Sequence, residues 1–184
     1  MIDDRNAFHT QEKYARAYIF AATAHHGQLF PGSELPYLLH ISLVGAEVLF
    51  ALIHEDGLDA GLAVQCALLH DVLEDTPISF ERLAEEFGEE VANGVLALTK
   101  RAELPWEARM PDSLSRILRQ PREIAIVKLA DRIVNMSPPP GHWPSEKRRR
   151  YHAEAQRILD VLGDASEYLS QRLRKKMDEY RAHF

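Results

Sequence analysis

Apolar residues recur at helical spacing along almost the whole chain, and no segment alternates at the two-residue period of a half-buried strand. Tyr14, Ala17, Tyr18, Ala21 and Ala22 line one face of a helix expected over residues 10–26, with Thr10 as its N-cap. Residues 27–34, with Pro31 and Gly32, read as a loop. Pro36 suits the first turn of a helix running to about Ile53, and Gly57 separates it from a third helix over residues 59–75. Pro77 ends that segment, Ser79 caps a short helix stopped at Gly88, and another helix follows to about Lys100. Pro105, Pro111 and Pro121 make residues 101–121 the least regular stretch, a loop holding one short helix near 113–119. A strongly apolar helix is expected over 122–136, broken by Pro138-Pro139-Pro140-Gly141, then two more over 144–162 and 165–182. The fold class is therefore all-α, a helical bundle.

A chain of 184 residues suits one domain, here residues 1–184, with enough length to bury a core. The net charge of −6 is wrong for a duplex nucleic-acid binder, which needs a basic face, but leaves room for a small phosphorylated ligand. The single cysteine, Cys66, excludes internal disulfides and points to a cytoplasmic home. Cys66 itself is expected to face the core as a small apolar group. No apolar run nears the roughly 20 residues of a membrane span, and Met1-Ile2-Asp3-Asp4-Arg5 lacks the pattern of a secretory leader. Whether the chain forms a homo-oligomer is left open.

Chemistry concentrates in Leu69-His70-Asp71-Val72-Leu73-Glu74-Asp75-Thr76, where charge follows directly on an apolar stretch. On one continuous helix, Glu74 would lie a turn from both His70 and Asp71. By itself this is also what a histidine beside a solvated acidic helix end looks like. Two more positions shift the balance. His40 opens an apolar helix, and Asp131 sits in Ile126-Val127-Lys128-Leu129-Ala130-Asp131, where an unpaired carboxylate is unfavourable. Lys128 and Arg132 are expected to lie too close along the helix to face it. A cation held by His40, His70, Asp71 and Asp131 accounts for all four. Two imidazoles and two carboxylates suit Mn²⁺, Fe²⁺ or another divalent cation with open positions better than a closed structural zinc site.

The order His, His-Asp, Asp resembles that of HD-domain phosphohydrolases. His26-Gly27-Gln28, Pro36-Tyr37-Leu38-Leu39-His40, Leu68 to Thr76, Phe87-Gly88, Thr99-Lys100, Lys128 to Arg132 and Asn135-Met136 together resemble the hydrolase domain of RelA/SpoT enzymes. The likeness covers roughly residues 10–162, with a C-terminal helix beyond it, and the stand-alone small alarmone hydrolase is the nearest type. The resemblance implies one Mn²⁺ on the four residues, removal of the 3′-pyrophosphate of alarmones such as ppGpp, and a catalytic acidic pair at Glu74 and Asp75. A cation lowers the pKa of water, and a carboxylate nearby can take its proton.

The chain departs from that family at its rim. The basic residues usual after Gln28 are replaced by Leu29-Phe30-Pro31, with Phe30 where an arginine packs on guanine. Phe30 is either a loop anchor or a flat face for any base, and the change brings adenosine alarmones such as ppApp forward as substrates. Lys147 and Tyr151, one turn apart, match the region where that family holds phosphates, and Lys100 with Arg101 offers further positive charge. The alternative is a solvated basic face, which is how Arg148 and Arg149 read, while Asn135 is either a hydrogen-bonding partner for sugar or base or a polar residue at a helix end. Trp143 and Trp106 read as packing or lid residues, and His25, His54, His152 and His183 as surface or core histidines. A phosphatase of another nucleotide such as NADPH, which animal members of the family can dephosphorylate, and a non-catalytic nucleotide sensor remain alternatives; the intact Glu74-Asp75 pair argues against the sensor.

Overall fold

The structure, a computed structural model, describes residues 4–184, with side chains from Phe8 onward. The leader question at Met1 to Asp3 lies outside the described residues. The helices are α1 (Asp4–Ala24), α2 (Leu38–His54), α3 (Ala60–Leu69), α4 (Val72–Asp75), α5 (Phe80–Phe87), α6 (Glu89–Leu98), α7 (Trp106–Ile117), α8 (Arg122–Asn135), α9 (Ser145–Leu162) and α10 (Glu167–Tyr180). Single 3₁₀ turns follow α9 at Gly163–Ala165 and α10 at Arg181–His183. Among the described residues there is no strand, only an isolated bridge between Leu29 and Pro36, and no helix long and apolar enough to cross a membrane.

Helices α3 and α8 form the centre. Residues Gly61 to Leu69 of α3 and Glu123 to Val134 of α8 are all buried. Each fully buried isoleucine or leucine of α8, such as Ile126 or Leu129, contributes about 1.5–3 kcal/mol by leaving water. The two helices run in the same direction. At their starts Asp59 caps α3 by accepting from Leu62 N at 2.9 Å, and its own N–H donates to Glu123 Oε1 at 2.6 Å. At their far ends His70 and Asp131 approach to 3.9 Å. Helix α2 runs the other way, with His40 at the far ends and its C-cap Glu55 back at the starts, bonded to Arg122 at 2.6 Å. Helix α6 crosses both central helices at Gly94, where a Cβ would come within 2.6 Å of Ile124 and 3.0 Å of Cys66. Cys66 faces the core, as expected.

Three expectations are corrected. Thr10 is not a cap: α1 already begins by Asp4. Phe8, in the added stretch, is 70% exposed, so apolar periodicity could not mark it. The helix expected over 59–75 is interrupted at His70 and Asp71, and Asp71 becomes the N-cap of α4. Residues 106–117 are helical straight through Pro111. Tertiary contacts outweigh the proline there. Met110, Ser113, Leu114 and Ile117 are buried at helical spacing, and α7 satisfies the orphan carbonyls at the end of α6. Ser113 donates to Ala97 O at 2.9 Å, and Arg116 donates to Leu96 O and to Thr99 O, the latter at 2.7 Å.

Candidate metal centre and active site

The interruption after α3 builds the site. Adjacent residues of an ideal helix point about 100° apart, and at Asp71 the backbone leaves ideal helical values, with φ −102° and ψ −1°. Here His70 still bonds back to α3, its Nδ1 donating to Ala67 O at 2.8 Å, which leaves the Nε2 lone pair for the cluster. Asp71 Oδ2 stands 2.9 Å from that Nε2. His40 Nε2, from the first turn of α2, lies 3.1 Å from His70 Nε2, 3.5 Å from Asp71 Oδ2 and 3.5 Å from Asp131 Oδ1. One donor atom each from His40, His70 and Asp131 lies within 4.8 Å of the others. His40 Nδ1 is buried without a partner.

Charge makes the same point as distance. With both imidazoles neutral the cluster holds two carboxylates, and one ammonium is in contact. Lys128 Nζ meets Asp131 Oδ2 at 2.9 Å. This corrects the expectation that Lys128 sits too close along the helix: three residues are enough to bring the two side chains together. Arg132 does turn away, toward Tyr151 O at 3.5 Å and Glu154 at 3.4 Å. One buried negative charge is left over, and it draws positive charge to itself. Burial would lower the His40 pKa, but Asp131 and Asp71 raise it to about 9. Burial would raise both carboxyls, yet His70 and His40 hold Asp71, and Lys128 and His40 hold Asp131, well below the usual range. Two Nε2 atoms and two ionised carboxylates facing one another fit a divalent cation.

Further side chains support the cluster. Tyr37 donates to Asp71 Oδ2 at 2.5 Å, and burial with the neighbouring Asp71 charge pushes its own pKa up. His25 Nδ1 bonds Gln28 Oε1 at 2.7 Å while its ring packs on Tyr37 at 4.9 Å. Gln28 thus braces the loop through its amide oxygen. Asn135 Nδ2 donates to Asp131 Oδ1, so this amide holds the carboxylate, though the residue also lines the adjoining cavity. The Lys128, Asp131 and Asn135 spacing carries this signal in the sequence; Tyr37 gives only its place one turn before His40.

A cavity of about 410 Å³ opens beside His40, walled by Phe30, Tyr37, Asn135, Trp143, Tyr151 and Tyr180, among others. Phe30 is presented to it by the bridge at Leu29–Pro36, with Phe30 N donating to Leu35 O at 2.8 Å and Tyr37 N to Gln28 O at 2.9 Å. Its ring stacks on His40 at 6.1 Å. Glu74 and Asp75 stand on α4, with Glu74 accepting from Lys100 N at 2.8 Å and Lys100 Nζ at 3.1 Å. Burial, Asp71 and Glu74 push the Asp75 pKa up. Lys100 is thus paired with Glu74. Lys147 lies over the Trp143 ring at 3.9 Å, and that indole meets Tyr151 edge-on at 5.4 Å. Burial lifts the Tyr151 pKa to about 12. Arg148 is no solvated residue: it donates to His183 O at 2.8 Å and Gly141 O at 2.9 Å, locking the chain end against the proline turn.

A helical bundle whose His, His-Asp and Asp side chains converge in this way defines a class, and the chain belongs to it: the HD-domain family, matched over residues 17–166. The sequence is 40% identical over 150 residues to a guanosine-3′,5′-bis(diphosphate) 3′-pyrophosphohydrolase of Haemophilus influenzae, covering 78% of this chain and 21% of that protein. It is 30% identical over 159 residues to the guanosine-3′,5′-bis(diphosphate) 3′-pyrophosphohydrolase MESH1 of Xenopus tropicalis, covering 84% and 87%. The chain therefore spans about a fifth of the bacterial relative and most of the Xenopus one. A solved metazoan ortholog of SpoT, described as hydrolysing ppGpp, superposes with a TM-score of 0.78 at 26% identity over 91% of this chain and 94% of that one. A Listeria monocytogenes protein at 20% identity shares the fold, with a TM-score of 0.62.

Proposed function

We propose that this chain is a metal-dependent 3′-pyrophosphohydrolase of nucleotide alarmones, acting on (p)ppGpp and, by preference, on (p)ppApp. The convergence of His40, His70, Asp71 and Asp131 beside a cavity of nucleoside size carries the reading, and the names of the relatives support its 3′-pyrophosphohydrolase part, on a guanosine alarmone. The four residues would hold Mn²⁺, or Fe²⁺ in its place. Once bound, such a cation supplies a Lewis acid that lowers the pKa of water at neutral pH.

The chain's own residues do the rest. Glu74, its oxygens oriented by Lys100, takes a proton from the attacking water. The water oxygen bonds to the phosphorus on O3′, the P–O3′ bond breaks, and pyrophosphate leaves. Asp75 has a raised pKa, which suits it to return a proton to the departing 3′-oxygen. Phe30 and Tyr151 enclose the base, with Lys147 and Lys100 at the phosphates. The proposed setting is the cytoplasm, where the buried Cys66 stays a thiol.

The decisive assay offers ppGpp, ppApp and NADPH to the protein with Mn²⁺ and then with a chelator. Pyrophosphate release from ppApp at least equal to that from ppGpp, lost on chelation, is expected. Turnover of NADPH alone would overturn the alarmone reading. A preference for ppGpp above about tenfold, worth ~1.4 kcal/mol, would overturn the adenine preference and leave the reaction class intact. Glu74→Gln should lower turnover by about 10²–10⁴ while metal content is retained.

A further inference from the structure

Tyr180 ends α10, beyond the segment that matches the HD-domain family. Its side chain is only 1% exposed, yet it lines the same cavity as Phe30 and His40. Its hydroxyl is buried and has no hydrogen-bond partner. Tyr37, Ser33 and Ser137 line the cavity too, and each gives its one hydroxyl proton to a protein acceptor, while Asn135 spends one of its two amide N–H groups on Asp131. A buried hydroxyl left without a partner is unfavourable and rare in native proteins. The ring cannot swing away to find one, because it is packed among Tyr151 at 6.3 Å, His183 at 5.6 Å and Phe184 at 6.2 Å.

The shape of the cavity says what meets that hydroxyl. Phe30, Trp143 and Tyr151 with the run Pro138 to Pro140 present flat, largely apolar surface, which favours a planar ring stacked between them. Such a ring has its polar atoms only at its edge. We propose that the Tyr180 hydroxyl binds the edge of the nucleobase, so that the C-terminal helix supplies the hydrogen bond that the Phe30 loop, with no donor of its own, does not. A phenol both donates and accepts, so it pairs with a ring nitrogen or exocyclic amine of adenine and with the carbonyl of guanine. Tyr180 therefore adds affinity at the base edge, while Phe30 offers a face on which either base stacks. This inference rests on the alarmone reading.

The test is Tyr180→Phe, which removes one oxygen and no protein–protein hydrogen bond, so the variant keeps its fold and melts at or above the parent temperature. Calorimetry on the Mn²⁺-loaded protein would compare ADP and GDP, the nucleotides left after hydrolysis, with inorganic pyrophosphate, which has no base. The variant should bind both nucleotides about tenfold more weakly, ~1.4 kcal/mol, and pyrophosphate unchanged. Its KM for the alarmone should rise by a similar factor at constant kcat. Equal nucleotide affinity in parent and variant, or an equal loss for pyrophosphate, would overturn the role of Tyr180 while leaving the activity standing. A parent protein that neither binds these nucleotides nor hydrolyses the alarmones would overturn both.

Discussion

Tyr37 shows how a single hydroxyl can set the quality of a proposed metal site through one of its carboxylates. Asp71 belongs to a break between two helices, where backbone alone would not fix its side chain, and the 2.5 Å bond from Tyr37 supplies the missing constraint. Partners of this kind are commonly worth about 10–100-fold in metal affinity. Tyr37→Phe should therefore weaken Mn²⁺ binding by about that factor, read directly by titration. Unchanged Mn²⁺ affinity would mean that His70 alone holds Asp71. Lys128 does for Asp131 what Tyr37 does for Asp71, with charge in place of a neutral donor. It is buried among apolar residues, so its ammonium has no competing contact with bulk water.

At the scale of elements, the molecule has two polar ends joined by apolar helices. Opposite the metal cluster, Glu55 gathers three segments at the C-terminus of α2. Its carboxylate accepts from Arg122 at 2.6 Å, from Ser166 at 2.8 Å and from Tyr168 N at 3.4 Å, and its side chain is 14% exposed. Burial works to raise its pKa, but Ser166, Tyr168 and Arg122 together lower it. Glu55→Gln should destabilise the protein by about 1.5–3 kcal/mol at pH 7, measured by denaturant unfolding. Because the folded pKa lies below the unfolded value of about 4.3, this contribution is complete above that pH and is lost as pH falls through the folded value. Parent and variant should converge in acid. Breaks at Pro77, Gly88 and Pro138 could be read from the sequence because each is a local backbone effect. The helix through Pro111 and the interruption at His70 could not, since both are decided by what packs against them. Likewise His40, His70, Asp71 and Asp131 stand out as polar residues in apolar stretches, whereas Tyr180 looks like any core aromatic until α10 is laid beside α8 and α9.

Over the whole molecule, the proposed cation ties α2, the α3–α4 break and α8 together at one point. Binding to the folded state alone adds about 2.7 kcal/mol at a hundred times Kd. For a domain of this size that corresponds to roughly 5–10 °C in melting temperature. Added Mn²⁺ should produce such a rise, a chelator should reverse it, and Asp131→Asn should abolish it; a melting temperature indifferent to Mn²⁺ would refute the site. The spread of the donors along the chain also governs timing. His40 and Asp131 are 131 − 40 = 91 positions apart, so no donor set exists until α8 has docked against α2 and α3. Added Mn²⁺ should therefore leave the refolding rate unchanged and slow unfolding, which stopped-flow kinetics with and without the cation would check. A cation that acts on the reverse step is a brake on unfolding, and its scarcity would then shorten the lifetime of the finished protein without slowing its manufacture.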